Sequence, residues 1–449
     1  MSFRPMRFPV VAMAAAAVAL VAASVSAAAG SSSAIQVISD SQLQAMTTTV
    51  GGVAGAPSLN TGTTVPHWYG TTVNGSNGVT YGYNMVGADP NKCPGPGCSV
   101  TIEADITPVI VNFGGRTFNG SDVLAATLAS PQFAANDYGS TLFATAPGTG
   151  DPNHVPPIPG TYEVRGPGGV LSQGDAGTSL QLEDATMRAQ FNQTGSSTYH
   201  LILHPNVKPA VTIDVPSTQG VLAISGRGVI FPLIKIGWWV TRIQNLITSA
   251  DPTHLPIYLT NNVLLSVGTR CCVIGFHGAG LVPGRGAGST HGSGNQPVQT
   301  YAWATYLSPG IYARPNGGSD WAVQDIHPLS HEVAEWADDP FVNNFVEPWV
   351  TPTAPQYGCT NVMETGDPVV GIGFAMGTNT FEQTTNPNGS QSADGFYHPE
   401  DEALLPWFMR TAPNTISEPT QKASTNIGRY TFMGDLNPFP GFRQPATGC

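Results

Sequence analysis

The stretch that decides the fold runs from Tyr199 to Gly226, YHLILHPNVKPAVTIDVPSTQGVLAISG. Tyr199–Pro205 and Val221–Gly226 are short apolar runs, and Ala210–Pro216 alternates apolar with polar residues. Runs of this length bounded by Pro and Gly predict β-strands. The pattern then changes. In GWWVTRIQNLITSADP (Gly237–Pro252), Trp238, Val240, Ile243, Leu246 and Ile247 recur at helical spacing, and the run ends near Ser249–Pro252. HLPIYLTNNVLLSVG (from His254), RCCVIGFHG (from Arg270) and YAWATYLSPG (from Tyr301) read as three further strands, the last preceded by a Gly-rich loop from Gly278 to Asn295. A helix follows at HPLSHEVAEWADDP (His327–Pro340). Strands, helix, three strands and helix make an α+β protein. Upstream, SVTIEADITPVIVNF (Ser99–Phe113) contains two more strand-like runs, the second being Ile106–Phe113.

The ends of the chain differ from this centre. Residues 1–29 carry Arg4 and Arg7, an apolar run from about Phe8 to Ala23, and small residues that suit cleavage, the layout of a secretory signal peptide. No other stretch is apolar enough to span a bilayer. The mature protein is thus expected to be exported, to an extracellular or periplasmic location, without a membrane anchor. Without Arg4 and Arg7 it has 15 basic against 29 acidic residues and no basic run, which excludes nucleic acid as a partner. Gly and Pro supply 91 residues, a composition of turns and short strands. Residues 30–98 read as a low-complexity, β-rich extension and 99–160 as a β-rich segment ending in a Pro/Gly loop at Ala144–Gly160. The core then covers 161–340, and 341–449 is an irregular segment with a helix expected at Pro399–Arg410.

The six cysteines, Cys93, Cys98, Cys271, Cys272, Cys359 and Cys449, suit disulfides in an exported protein. CPGPGC favours a local Cys93–Cys98 loop. Adjacent Cys271 and Cys272 are expected to reach different partners, such as Cys359 and Cys449. The chain lacks a nucleophile elbow and a nucleotide-binding glycine pattern.

The helix at 328–338 carries the chemistry. Pro328 suits a first helical position, and Asp339-Pro340 stops the helix. His331 and Glu335 stand at i and i+4 and share a face, with Glu332 about 100° round. Leu329, Val333 and Trp336 form an apolar stripe that would bury the helix against a sheet. Two ligands on one face, with a carboxylate beside them, suit hydrolysis by metal-activated water.

This segment resembles the zincin metallopeptidases, whose His-Glu-x-x-His motif sits on a helix packed behind a twisted sheet. The resemblance implies a zincin-like core of twisted mixed sheet with a backing helix and an active-site helix, over about Ala210–Pro340. It also implies a Zn²⁺ ion, a peptide or protein substrate, His331 as first ligand and Glu332 as general base. Glu335 stands where the family has its second histidine. In glutamate-type zincins a downstream Glu is the third ligand and a later Asp supports the first histidine. Here NVMETGDP supplies Glu364, 29 positions after Glu335, and then Asp367, three residues on where the family usually has four. His277, at the end of its strand, and His398 are alternative third ligands, and Tyr397 or His398 could stabilise an oxyanion. The longer string SHEVAEWADDP is similar to a segment of the EXORDIUM-type secreted plant proteins. Two other readings remain: a non-catalytic secreted or cell-surface binding protein on a degenerate zincin fold, and a glycosidase pairing Glu332 or Glu335 with Glu364.

Overall fold

One strand of fifteen residues, Ser99–Phe113, holds the main sheet together. The structure is a computed structural model describing residues 35–39, 43–46, 63–93, 98–137, 179–191, 198–281, 297–312, 323–352, 358–373, 377–381, 396–412, 430–432 and 445–449. The elements in chain order are β1 (Gln36–Ile38), β2 (Leu43–Met46), β3 (His67–Val73), β4 (Thr80–Val86), β5 (Ser99–Phe113), β6 (Arg116–Asn119), α1 (Leu124–Ala129), β7 (Asn136–Asp137), β8 (Ser179–Leu180) and α2 (Leu182–Gln190). After these come β9 (His200–Val207), β10 (Val211–Asp214), β11 (Gly220–Ser225), β12 (Ile230–Lys235), α3 (Ile236–Ile247), β13 (Leu255–Asn261), β14 (Leu264–Val267), β15 (Arg270–Val273), β16 (Gly275–Leu281) and β17 (Val298–Tyr306). The last are α4 (His327–Asp338), β18 (Phe345–Val350), β19 (Cys359–Val362) and α5 (Leu405–Phe408).

The first half of β5 pairs in parallel with β9 on one side and with β13 on the other, in the register Ala104↔Leu255 to Pro108↔Leu259. Its second half takes β10 in parallel and β6 antiparallel. β13 pairs in parallel with β17, and β16 follows antiparallel to β17, giving a mixed seven-stranded sheet. A second sheet has the order β1-β11-β12-β14-β15-β2. The protein is therefore α+β, mostly sheet with few helices.

β17 shows how the sequence builds two layers on this sheet. All nine of its residues are buried, and successive side chains face opposite sides. Tyr301 and Trp303 share one core with Phe276 and with Trp239, Ile243 and Ile247 of α3. Ala302 and Ala304 face the other core, with Leu329, Val333 and Trp336 of α4. These alanines leave room for a helix close to the sheet, and the Trp336 indole N–H donates to Thr300 Oγ1 on the same strand (2.9 Å).

Several expectations are revised by these pairings. β5, from the segment read as a separate β-rich stretch, is one strand rather than two and lies inside the sheet of β13 and β17. Strand β16 runs on through Gly278 to Leu281, where a loop was expected. Of Pro399–Arg410 only Leu405–Phe408 is helical, while residues 399–404 run irregularly along α4. Cys93 does meet Cys98, but Cys271 and Cys272 meet each other, and Cys359 meets Cys449. Burial explains the difference: Cys271 and Cys272 lie in a core with Ile38, Ala223 and Phe231, whereas Cys359 and Cys449 are exposed. The signal-peptide stretch and the Ala144–Gly160 loop lie outside the described residues. Among those described, no helix is long and apolar enough to cross a membrane.

The C-terminal end of α4 joins two other segments through buried acids. Asp338 Oδ2 accepts from Gln190 Nε2 of α2 (2.8 Å), and Gln190 Oε1 accepts from the Leu405 N–H (2.6 Å). Glu183 and Glu402 are buried beside Asp338. Burial pushes the Asp338 carboxyl up to about 8 against the hydrogen bond from Gln190. Burial and then the Asp338 charge raise Glu183 well above the usual range, and burial and then Glu183 do the same to Glu402. A raised folded-state value means that the native chain holds a proton which the unfolded chain releases from about pH 4 upward. This contribution to stability is therefore full below about pH 4 and is lost as pH rises towards 8. A carboxyl that keeps its proton in that window makes stability fall as pH rises. Thermal or denaturant unfolding followed from pH 4 to 8 should show a smaller fall in Asp338→Asn than in the natural chain. Equal slopes would mean that Asp338 is not protonated in the native state.

Candidate metal centre

All twelve residues of α4 are buried, including its four ionisable residues between His331 and Asp338. A buried polar group is costly unless it is hydrogen-bonded, paired or bound to a cation, so the partners of each one define the site. Asp325 sits just ahead of the helix with φ 43°, and its carboxylate accepts from the Ile326 and His398 N–H groups. A carboxylate at this end also suits the helix dipole.

His331 is held from one side by a residue that the sequence reading missed. Its Nδ1 donates to Glu400 Oε2 (2.9 Å), which also lies 2.6 Å from His327 Nε2. The Glu400 N–H in turn donates to Ser330 Oγ. With Nδ1 engaged by Glu400, Nε2 turns towards Glu335 Oε1, 3.0 Å away, without a directed hydrogen bond. Glu400 lies in the acidic run HPEDE, which reads as a helix start. Only the path of residues 399–404 along α4 brings it to the imidazole.

Residues 364–367 cover the same imidazole. An added Cβ on Gly366 would fall 2.4 Å from His331 Nδ1, so glycine is what lets this loop lie on the ring. Next to it the Asp367 N–H donates to Glu335 Oε1 (3.2 Å), and Asp367 Oδ1 stands 3.9 Å from His331 Nε2. The Asp367 side chain is 30% exposed, which gives this corner access to solvent.

The sheet supplies a second imidazole. Phe276 faces α3, so the alternation of β16 turns Gly275 and His277 towards α4. A Cβ on Gly275 would meet Glu332 Oε1 at 2.5 Å. His277 Nδ1 is 3.4 Å from both Glu332 Oε2 and Glu335 Oε2, and its Nε2 is 3.8 Å from Glu364 Oε2. Two sets of donors converge here: His277, Glu335 and Glu364, and His331, Glu335 and Asp367, the atoms of each set lying within 4.8 Å of one another. Both include Glu335. Glu364 thus lies with His277, and Asp367 with His331.

Tyr397 and His398 lie apart from these sets. The Tyr397 hydroxyl donates to the Ala126 carbonyl (2.8 Å), and His398 Nδ1 sits 2.8 Å from Asp325 Oδ2 and 2.9 Å from Gln324 Nε2. A cavity of about 430 Å³ beside the end of α3, lined by Asp105, Lys208, His254 and Tyr258 among others, holds none of the α4 residues.

Five carboxyl groups, of Glu332, Glu335, Glu364, Asp367 and Glu400, face the imidazoles of His277, His327 and His331. Burial works against a charged His331, but Glu335 and Glu400 outweigh it and raise its pKa well above the usual value. The same balance, with Glu364 the strongest opposing charge, raises His277. Burial pushes Glu332 up to about 7 despite its hydrogen bond from His277, and burial and then the Glu335 charge raise Glu364 well above its usual range. The charges of His331 and His277 overcome burial to hold Glu335 below its usual range. Buried atoms without a hydrogen-bond partner remain at His277 Nε2, His331 Nε2, Glu332 Oε1 and both Glu364 oxygens. A cation between them would give each a partner, so the residues fit a metal ion of the kind that takes imidazole and carboxylate together. None of the protein-family models, curated proteins or solved structures compared with the chain matches it.

Gly366→Ala tests the packing of the loop on His331. It should destabilise the chain by about 1–3 kcal/mol, as overpacking of a filled site does. Denaturant unfolding measures this. An unchanged midpoint would mean that residues 364–367 do not rest on the imidazole.

Proposed function

We propose that this protein is an exported metal-dependent hydrolase, a zincin-like peptidase that acts on peptide or protein substrates with a Zn²⁺ ion held by α4. The observation that carries the reading is the convergence of unpartnered, buried imidazole and carboxylate atoms around Glu335. His331, Glu335 and Asp367 would hold the ion on the solvent side, with His277 and Glu364 behind. When bound, the ion supplies Lewis-acid polarisation of a carbonyl. Glu332 supplies the proton transfer: Oε2 is engaged by His277, while Oε1 has no partner and can take a proton from water and return it to the leaving nitrogen. A carboxyl pushed up to about 7 is matched to that work near neutral pH. Glu400 holds His331 in the tautomer that leaves Nε2 free.

A second reading, a non-catalytic secreted binding protein with a structural ion, is favoured by one observation. His277, His331 and Glu332 have no solvent exposure, and the Glu335 and Glu364 residues have 1% and 3%. Glu332→Gln separates the two. Metal content measured by elemental analysis should be unchanged, while hydrolysis of casein or peptides falls by about 10²–10⁴-fold. Unaltered hydrolysis in the variant would rule out the general-base mechanism, and metal without any hydrolysis in the natural chain would favour the binding protein.

A further inference from the structure

We infer that the centre is built for two metal ions bridged by the Glu335 carboxylate, one on His331 and Asp367 and the other on His277 and Glu364. This rests on the metal-centre reading above and adds a second ion to it. Glu335 presents its two oxygens to two different imidazoles: Oε1 lies 3.0 Å from His331 Nε2, and Oε2 lies 3.4 Å from His277 Nδ1. Each side is a three-residue donor set in its own right, and the sets have only Glu335 in common.

Both histidines also have a carboxylate against Nδ1. His331 Nδ1 is held by Glu400, His277 Nδ1 lies 3.4 Å from both Glu332 Oε2 and Glu335 Oε2, and each ring is left with a buried Nε2 that has no hydrogen-bond partner. A carboxylate on one ring nitrogen is the usual support for an imidazole that binds metal through the other. Such support occurs twice here, on opposite sides of one carboxylate. A single four-coordinate ion leaves the remainder unexplained: five residues converge, and both Glu364 oxygens stay buried without a partner. A carboxylate that spans two ions suits the separation of about 3.5–4 Å found in two-metal hydrolytic centres.

Stoichiometry tests this without reference to activity. Purified chain stripped of metal and titrated with Mn²⁺ should take up about two ions per chain, and its electron paramagnetic resonance spectrum should show exchange coupling between neighbouring ions. His277→Ala and Glu364→Gln should each take up about one ion and lose the coupling. The coupling measured on the natural chain needs no variant to fold. A single uncoupled ion in the natural chain, retained in His277→Ala, would overturn the two-ion centre and leave the one-ion hydrolase standing. No bound Mn²⁺ and no Zn²⁺ by elemental analysis would overturn both.

Discussion

The constraint on which the rest depends is that α4 lies wholly inside the protein while carrying two carboxylates and an imidazole on one side. Its apolar stripe fits onto β17 because Ala302 and Ala304 hold the sheet surface low. With the helix that close, His331, Glu332 and Glu335 are buried, and a charge moved into such surroundings must be neutralised locally. Every element that touches this side of α4 therefore brings a group of opposite or adjustable charge. β16 contributes His277, the 364–367 loop contributes Glu364 and Asp367, and residues 399–404 contribute Glu400.

Two glycines make this convergence sterically possible. Gly275 and Gly366 sit where any side chain would enter the space of Glu332 or His331. Gly366 has φ −82°, so its role is to leave room rather than to adopt a backbone shape closed to other residues. The same dense packing separates the centre from Tyr397 and His398, whose polar atoms are occupied by Ala126, Asp325 and Gln324.

Much of the framework was legible in the sequence. Periodicity located α3, α4 and the strand-forming runs between them, but the runs from His254 and from Arg270, each read as one strand, divide into β13 and β14 and into β15 and β16, in two different sheets. His331 and Glu335 could be placed on one face by helix geometry alone, and the position of His277 at the end of an apolar strand was enough to suggest it. What could not be read were relations between distant segments. Glu400 looked like part of a helix start, and its role depends on an irregular path with no period to detect. The order of β5 between β9 and β13 is likewise a matter of long-range pairing. Cys271 and Cys272 were misjudged because adjacency in sequence argued against their pairing, while the partners proposed for them, Cys359 and Cys449, are exposed and pair with each other.

The pairing of Cys359 with Cys449, 90 residues apart, turns the last fifth of the chain into a ring. Glu364, Asp367, His398 and Glu400 all lie on that ring. The groups it contributes to α4 thus arrive on a closed loop anchored beside β18, and the chain loses less freedom in bringing them together than a tail would. In a reducing compartment the ring opens, and the same residues are held against α4 by non-covalent contacts alone. Oxidation state then becomes a condition for assembling the charge balance around α4.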